Sequence, residues 1–406
     1  MLPVSRLAGD HSTLIDASQP VHADPGTTVV TPRHLYVHVP FCARRCGYCD
    51  FAVTAMREPP VRAWLQSMEA ELELRVREQA WTEPLRLETI YLGGGTPSLL
   101  GAGAVAGLAK AVARFATWDA CRIEWTAEAN PESFTAEVAA DWCEHGVNRI
   151  SFGAQTFHEP TLRWMGRLHG PDGPGRAMAL ARAAGIENIS VDLIFGLPSR
   201  LGRDWSADLD RVLELEPAHV SLYGLTAEPA TPLGRRVAEG KEALADEDRY
   251  TAEFLEAAEL LAAAGFRQYE VSNFARQGRE SRHNQAYWEH RPYLGLGPGA
   301  HSFLPPHRFW NTRDWTEYRH RLETGMNPEV GREQLGPEEL DLERIWLGLR
   351  VDMGMALAEL GAAQLDTVRR WSDAGWANLA NGRVRLTPAG WLLLDRLAVE
   401  LAAQSG

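Results

Sequence analysis

The sequence predicts an α/β fold in which six strand–helix units form an open, partial (β/α)6 barrel. From residue 34 onward, short β-branched runs alternate with longer amphipathic segments, which is typical of a parallel sheet with right-handed crossovers. Nearly all of the Gly, Asn and Asp turn signals follow the strands, where barrel enzymes place their chemistry. The predicted strands are 34–39, 87–92, 122–129, 148–152, 189–195 and 218–224, and the predicted helices are about 59–80, 101–117, 133–145, 172–185, 203–215 and 243–265.

The first two parts of the chain differ clearly in pattern. Residues 1–33 mix small and polar residues without an apolar core of signal-peptide length, which predicts a flexible N-terminal extension. Residues 34–265 carry the six strand–helix units and form the predicted barrel. Its first helix shows the helical period most clearly, with apolar side chains at every fourth position: Trp64, Met68, Leu72 and Val76.

The last part of the chain, residues 266–406, is predicted to be a separate C-terminal α+β region. It begins with a loop-rich, aromatic stretch at 266–310, and a helix follows near 313–324. A short strand pair near 374–387 precedes a last helix at 388–403, with Thr387 as its N-cap and Pro388 in its first position. This tail predicts a small winged-helix-like domain used for packing or docking.

Composition narrows the function classes. The chain of 406 residues is 45% hydrophobic, and its net charge of −13 argues against a general nucleic-acid binder, which needs a basic face. No run reaches about 18 apolar residues, so no membrane-spanning helix is expected. The five cysteines suit a reducing, cytoplasmic compartment, and we expect Cys121 and Cys143 to be buried free thiols.

A cysteine loop directly follows the first predicted strand. Cys42, Cys46 and Cys49 have the spacing CxxxCxxC, which can turn three thiolates toward one point. Thiolates are soft ligands that suit iron–sulfur clusters and zinc. Three cysteines on a 4Fe–4S cluster would leave one iron open for a small molecule, whereas zinc would need a fourth ligand such as His38.

Further polar or glycine-rich motifs follow the next strands. The segment 93–97 reads Gly-Gly-Gly-Thr-Pro and could approach a ligand closely, or could simply form a tight turn. Glu128 ends the third strand, and the motifs at 149–157, 166–169 and 192–198 lie at or after the fourth and fifth strands. Each motif alone is a weak signal, because polar residues at strand ends are commonly caps or turn formers.

Together and in this order, the motifs resemble the coproporphyrinogen-dehydrogenase-like branch of the radical S-adenosylmethionine (SAM) superfamily, over residues 35 to about 401. This resemblance implies a 4Fe–4S cluster on the three loop cysteines, chelated by SAM at the open iron. It also implies an electron donor such as a flavodoxin or ferredoxin. Arg167 is expected to pair with the SAM carboxylate. The SAM-site residues implied by position are Tyr36, Tyr48, Gly94, Gly95, Thr96, Glu128, Gln155, Arg167 and Asp192.

This branch contains oxygen-independent coproporphyrinogen III dehydrogenases and HemW-type heme chaperones, and three features favour the chaperones. Phe51 stands where the dehydrogenases carry a further cysteine, and the first 33 residues are short for a segment that covers an active site. The segment 283–288 resembles the HNxxYW motif proposed to take part in heme binding. An imidazole can ligate heme iron and aromatic faces can flank a porphyrin. The implied heme site is His283, Tyr287 and Trp288.

From the residues alone, the alternatives stay open. His283 and Asn284 could instead cap a turn while the two aromatic residues pack beside the barrel. We expect a heme chaperone that delivers heme to an acceptor, such as a membrane-associated respiratory protein. The alternative is a coproporphyrinogen III dehydrogenase, which would abstract a hydrogen from a propionate with a radical derived from SAM. A zinc-stabilised interaction module ranks third.

Overall fold

A computed structural model of the protein describes residues 30–404, so the predicted extension lies almost entirely outside the described residues. In that part of the chain the strands are β1 (His34–Val39), β2 (Phe41–Cys42), β3 (Thr54–Ala55), β4 (Leu85–Leu87), β5 (Thr89–Gly94), β6 (Ala116–Trp118), β7 (Glu124–Ala129), β8 (Arg149–Gln155), β9 (Asn188–Phe195), β10 (His219–Gly224), β11 (Arg267–Glu270), β12 (Asn273–Ala275), β13 (Tyr293–Leu296), β14 (His301–Leu304), β15 (His307–Asn311), β16 (Glu329–Gln334), β17 (Met355–Ala356), β18 (Ala377–Ala380) and β19 (Arg383–Leu386). The α-helices are α1 (Val61–Glu78), α2 (Ala104–Val112), α3 (Ala136–Glu144), α4 (Glu159–Met165), α5 (Gly173–Ala183), α6 (Trp205–Glu214), α7 (Pro232–Ala238), α8 (Glu247–Ala263), α9 (Arg282–Trp288), α10 (Trp315–Glu323), α11 (Pro337–Arg350), α12 (Ala362–Asp373), α13 (Pro388–Trp391) and α14 (Leu394–Ala402).

The prediction of an α/β fold with a mostly parallel sheet is confirmed. The six predicted strands are β1, β5, β7, β8, β9 and β10, and they pair in parallel in that order. The six predicted helices are also present, as α1, α2, α3, α5, α6 and α8, each shorter than predicted. The sequence did not reveal α4 and α7, because seven residues are too few to show a helical period.

The prediction of a loop-rich stretch at 266–310 is wrong. This stretch contains β11 to β14, the helix α9 and the start of β15, and its strands extend the parallel sheet at both edges. β12 pairs antiparallel with β10, while β13 pairs parallel with β1 and leads to β14, β15 and β16. These strands have three to six residues, too few for a clear alternation, and their stability comes from pairing with distant strands.

The central strands are buried on both faces, with different chemistry on each. In β1, Leu35, Val37 and Val39 belong to the hydrophobic core together with Trp64 of α1 and Leu108 of α2. The alternate positions are polar, and we call the surface that they form the inner face. It carries His34, Tyr36, His38, Thr89, Tyr91, Glu128, Ser151, Asp192, Ser190 and His219. Because water has little access there, these side chains satisfy one another by hydrogen bonds.

A buried ionic network joins α1 to the strands β13 to β16, which continue the sheet beyond β1 and which we call the sheet extension. The Glu71 carboxylate accepts from Asn311 Nδ2 at 2.6 Å, from the Gly297 backbone N–H at 2.8 Å and from the Tyr318 hydroxyl. The Arg75 guanidinium donates to Asn311 Oδ1 at 2.9 Å and pairs with Glu329 at 3.1 Å. Breaking such a pair leaves an uncompensated buried charge, so this network fixes the position of the loop after β13.

The C-terminal tail combines helices with a three-stranded sheet of order β17-β19-β18. The predicted cap is confirmed, because the Thr387 side chain accepts from the Gly390 N–H and Pro388 opens the helix. The last predicted helix is interrupted, and α13 and α14 replace it.

Cys121 is exposed, contrary to the prediction that it is buried, and it is a free thiol like Cys143. Within residues 30–404 no helix has the length and apolarity needed to cross a membrane.

Candidate functional site

The cysteine loop lies beyond the C-terminal end of β1. The thiols of Cys42, Cys46 and Cys49 are half-buried, and the Thr96 hydroxyl donates to Cys42 Sγ at 3.4 Å. Burial and the two neighbouring cysteines raise the pKa of Cys42 to about 11, against the opposing effect of Thr96. Iron binds the thiolate form and would displace these protons. Three soft donors on one loop therefore fit an iron–sulfur cluster, although no group of three His, Cys, Asp or Glu side chains in residues 30–404 is arranged to hold a metal ion.

His38 is not available as a fourth ligand in this conformation. Its Nδ1 lies 2.9 Å from the Tyr36 hydroxyl, and its Nε2 lies 2.9 Å from the Ala52 carbonyl oxygen. Burial lowers the pKa of His38 to about 4, so the ring is neutral at pH 7. Through these bonds, His38 connects β1 to the end of the cysteine loop. They argue against the zinc site that the sequence left open.

The glycine-rich loop after β5 needs its glycines. Gly94 has φ of +105°, and a Cβ there would lie 2.3 Å from the His38 ring. A Cβ on Gly95 would lie 2.5 Å from the Phe41 carbonyl oxygen, and Thr96 accepts from Asn130 Nδ2 at 3.1 Å. The loop is therefore held directly against the start of the cysteine loop, where Thr96 contacts Cys42.

Glu128 supports this loop from the next strand. Its carboxylate accepts from the Gly94 N–H at 2.9 Å and from the Tyr91 hydroxyl at 2.8 Å. Burial raises the pKa of Glu128 to about 7, against these two hydrogen bonds, and the nearby charge of Asp192 acts in the same direction as burial. Near neutral pH the residue therefore exists in both protonation states.

Arg167 lies at the same edge of the sheet, after α4. One of its guanidinium nitrogens, Nη2, donates to Asn130 Oδ1 and to the Gly153 carbonyl oxygen, both at 2.6 Å. Tyr48 and Cys46 lie within electrostatic range of this guanidinium. Gln155 has φ of +69° at an irregularity in the pairing of β8 with β9, which brings its amide beside Arg167.

Asp192 lies on the inner face, in β9. It accepts from the Ser151 hydroxyl at 2.8 Å, and burial raises its pKa. Ser190 links it, through bonds of 3.3 and 2.8 Å, to His219. A further bond of 2.9 Å joins His219 to Tyr269. Sequence reasoning missed Ser151, Ser190, His219 and Tyr269, although the polar residues at alternate strand positions were a usable signal.

The HNxxYW segment forms α9, at the opposite end of the sheet from the cysteine loop. Its backbone N–H groups at Arg282 and His283 each donate to the Glu124 carboxylate at 2.9 Å. Glu124 is the first residue of β7, and Thr89, which bonds the His283 ring, is the first residue of β5. The cysteine loop instead follows the last residues of β1. The predicted cluster and heme residues are therefore separated by the length of the strands.

The His283 ring is fully buried and both of its nitrogens are occupied. Nδ1 lies 2.6 Å from the Thr89 hydroxyl, and Nε2 lies 2.8 Å from the Tyr287 hydroxyl. Trp288 packs beneath the Arg350 guanidinium at 4.1 Å. Ser281, rather than His283, is the N-cap, because its side chain accepts from the Asn284 N–H. An iron ion at His283 would have to displace one of the two hydroxyl groups.

Comparisons with known proteins agree on one family. Residues 36–212 match the Radical SAM superfamily model. The chain is 37% identical over 368 residues to the heme chaperone HemW of Mycobacterium tuberculosis, covering 90% of this chain and 93% of that one. It is 34% identical to the heme chaperone HemW of Synechocystis, covering 86% and 87%. The solved structure of coproporphyrinogen III oxidase (HemN) from Escherichia coli, a radical SAM enzyme, superposes with a TM-score of 0.78 at 20% identity, covering 93% and 91%.

The raised pKa of Glu128 predicts a pH-dependent cost to stability. Since the folded value of about 7 lies above the ordinary 4.5, the unfolded chain loses its proton first as the pH rises. The resulting destabilisation of the folded state is absent below pH 4.5 and reaches about 3 kcal/mol above pH 7. We expect Glu128→Gln to gain free energy of unfolding relative to wild type across this interval, measured by urea denaturation without SAM. Glu73→Gln, at an exposed carboxylate on α1, is the control. If the difference in unfolding free energy between Glu128→Gln and wild type does not change with pH, the raised pKa of Glu128 is contradicted.

Proposed function

Because this chain belongs to the HemW family of heme chaperones in the radical SAM superfamily, we propose that it binds heme and transfers it to an acceptor protein. The single observation that carries this proposal is the match to the HemW chaperones over nine-tenths of the chain. Its resident cofactors are a 4Fe–4S cluster and SAM. We place the protein in the cytoplasm, with a flavodoxin or ferredoxin as electron donor.

Cys42, Cys46 and Cys49 are the residues that would hold the cluster. The cluster supplies redox chemistry and an open iron for the amino and carboxylate groups of SAM. Around it, the backbone of Gly94, Gly95 and Thr96 offers polar groups, and Arg167 offers a guanidinium suited to a carboxylate. The supporting geometry is the direct packing of the glycine-rich loop on the cysteine loop.

The remaining predicted SAM residues surround the same region. Glu128 braces the glycine-rich loop, Gln155 lies beside Arg167, and Tyr48 lies next to Arg167 and Cys46. Tyr36 and Asp192 lie on the inner face, half-buried and hydrogen-bonded to polar partners. We propose that these residues contact or orient SAM.

We also propose a more detailed architecture for the C-terminal region. The strands β17 to β19 with α11, α12, α13 and α14 suit a winged-helix-like tail that follows the barrel unit of residues 34–265.

The predicted heme residues His283, Tyr287 and Trp288 lie before this tail. His283 requires a local rearrangement of α9 before it can ligate iron, because both of its ring nitrogens are hydrogen-bonded.

We expect about four iron and four sulfide per chain after anaerobic reconstitution, measured chemically together with the brown absorbance. Cys42→Ala, Cys46→Ala and Cys49→Ala should each abolish that absorbance, since each removes one of three thiolate ligands. Cys121→Ala and Cys143→Ala are the controls, because these free thiols lie outside the loop. Zinc in place of iron would overturn the cofactor assignment.

Arg167→Ala and Asp192→Asn are expected to weaken SAM binding while the cluster stays intact. A charge-assisted hydrogen bond contributes about 1.5–3 kcal/mol, so the Kd should rise roughly tenfold to a hundredfold in equilibrium dialysis. Arg163→Ala, an exposed guanidinium on the same helix that precedes Arg167, should bind as wild type. An unchanged Kd in both test variants would contradict the placement of SAM.

The chaperone function itself is tested by incubating the reconstituted protein with hemin and, separately, with coproporphyrinogen III. We expect hemin to bind stoichiometrically, to be transferred to apomyoglobin as a probe acceptor, and coproporphyrinogen III to remain unchanged in the presence of SAM and dithionite. Product analysis by chromatography checks the last point. Consumption of coproporphyrinogen III without heme binding would establish the alternative dehydrogenase function, despite Phe51.

A further inference from the structure

An exposed histidine on the sheet extension is a better candidate for heme than the buried one in α9. His301 is the first residue of β14, and its cross-strand neighbour is Trp310 on β15, which in turn pairs with Gly331 on β16. We call these three residues the histidine platform. The His301 and Trp310 rings stack, with centroids 5.6 Å apart and planes 25° apart.

Gly331 allows this stack to form. A Cβ at that position would lie 2.2 Å from the Trp310 ring, so only glycine lets the indole lie against the third strand. The indole then supports one face of the His301 ring and holds it in one orientation. His301 is exposed, whereas its neighbour Ser302 is buried.

The platform lies at the same end of the sheet as the cysteine loop. The loop that leads to His301 passes close to it, because a Cβ on Gly299 would lie 2.7 Å from Ala52 and one on Gly297 would lie 2.7 Å from the His38 carbonyl oxygen. Arg313 follows β15 and donates to the Asp50 carbonyl oxygen of the cysteine loop. This placement contrasts with α9, which lies at the far end of the strands.

The chemistry around His301 suits an iron porphyrin with two carboxylates. Two cations, Arg308 and Arg313, lie within electrostatic range of the His301 ring. A neutral imidazole is the form that ligates iron, and neighbouring positive charges favour that form. Arg313 is 61% exposed, and its guanidinium lies 3.7 Å from the Asp50 carboxylate, so a propionate would share this guanidinium with Asp50.

We propose that His301 is the axial ligand of the transported heme, with Trp310 as its positioning residue and Arg313 as a propionate contact. This assignment rests on the proposed function, since it names the site at which the chaperone carries its cargo. Iron is bound in the plane of the imidazole, so Trp310 orients the ligand rather than facing the porphyrin. An exposed ligand also lets heme leave for an acceptor without unfolding α9.

The test is a hemin titration of the full-length, reconstituted protein, followed by the Soret band. We expect His301→Ala to lose the histidine-ligated spectrum and at least tenfold in affinity, and added imidazole to restore the spectrum. The cluster absorbance should not change. His320→Ala, at an exposed histidine on α10, is the control and should keep the wild-type Soret position, while His283→Ala tests the competing site in α9.

Two outcomes separate this assignment from the proposed function. If wild type and His301→Ala bind hemin with the same spectrum and affinity, the assignment to His301 is wrong while the chaperone function stands. Loss of the spectrum in His283→Ala alone would likewise exclude His301 and return the ligand to α9. If the wild type binds no hemin, the proposed function fails and the assignment fails with it.

Discussion

A parallel sheet that is buried on both faces must pair most of the polar groups that it carries, and this constraint governs the whole molecule. Alternate residues of β1, β5 and β7 to β10 place apolar side chains among the helices and polar ones on the inner face. An unpaired buried polar group costs about 1–3 kcal/mol, so the inner face is stable only as a connected set of hydrogen bonds. The bonds from Tyr91 to Glu128 and from Ser151 to Asp192 belong to this set.

The same set of bonds brings local motifs into one site. Gly94 can approach His38 only because it lacks a Cβ, and Glu128 holds its backbone N–H from the neighbouring strand. Thr96 then reaches Cys42, and Asn130 connects Thr96 with Arg167. Since each contact joins residues from different strands, the site exists only where the strands end at one edge.

The sheet extension contributes a second surface beside that edge. Glu71 and Arg75, on the first helix, hold Gly297 and Asn311 in a buried ionic network. Such a network tolerates little displacement, because each broken bond leaves a charge unpaired in the core. It therefore fixes the loop that leads to His301 relative to the cysteine loop.

The sequence by itself determined the features that depend on neighbours along the chain. Strand and helix periods, the Thr387 cap and the CxxxCxxC spacing are local, so the six central strands and the cysteine loop could be predicted. Only the tertiary structure decided which distant segments meet. The strands between 266 and 310 were missed because their stability comes from pairing with β1 and β10. For the same reason, no local pattern showed that His283 is enclosed by Thr89 and Tyr287 while His301 stacks on Trp310 in the open.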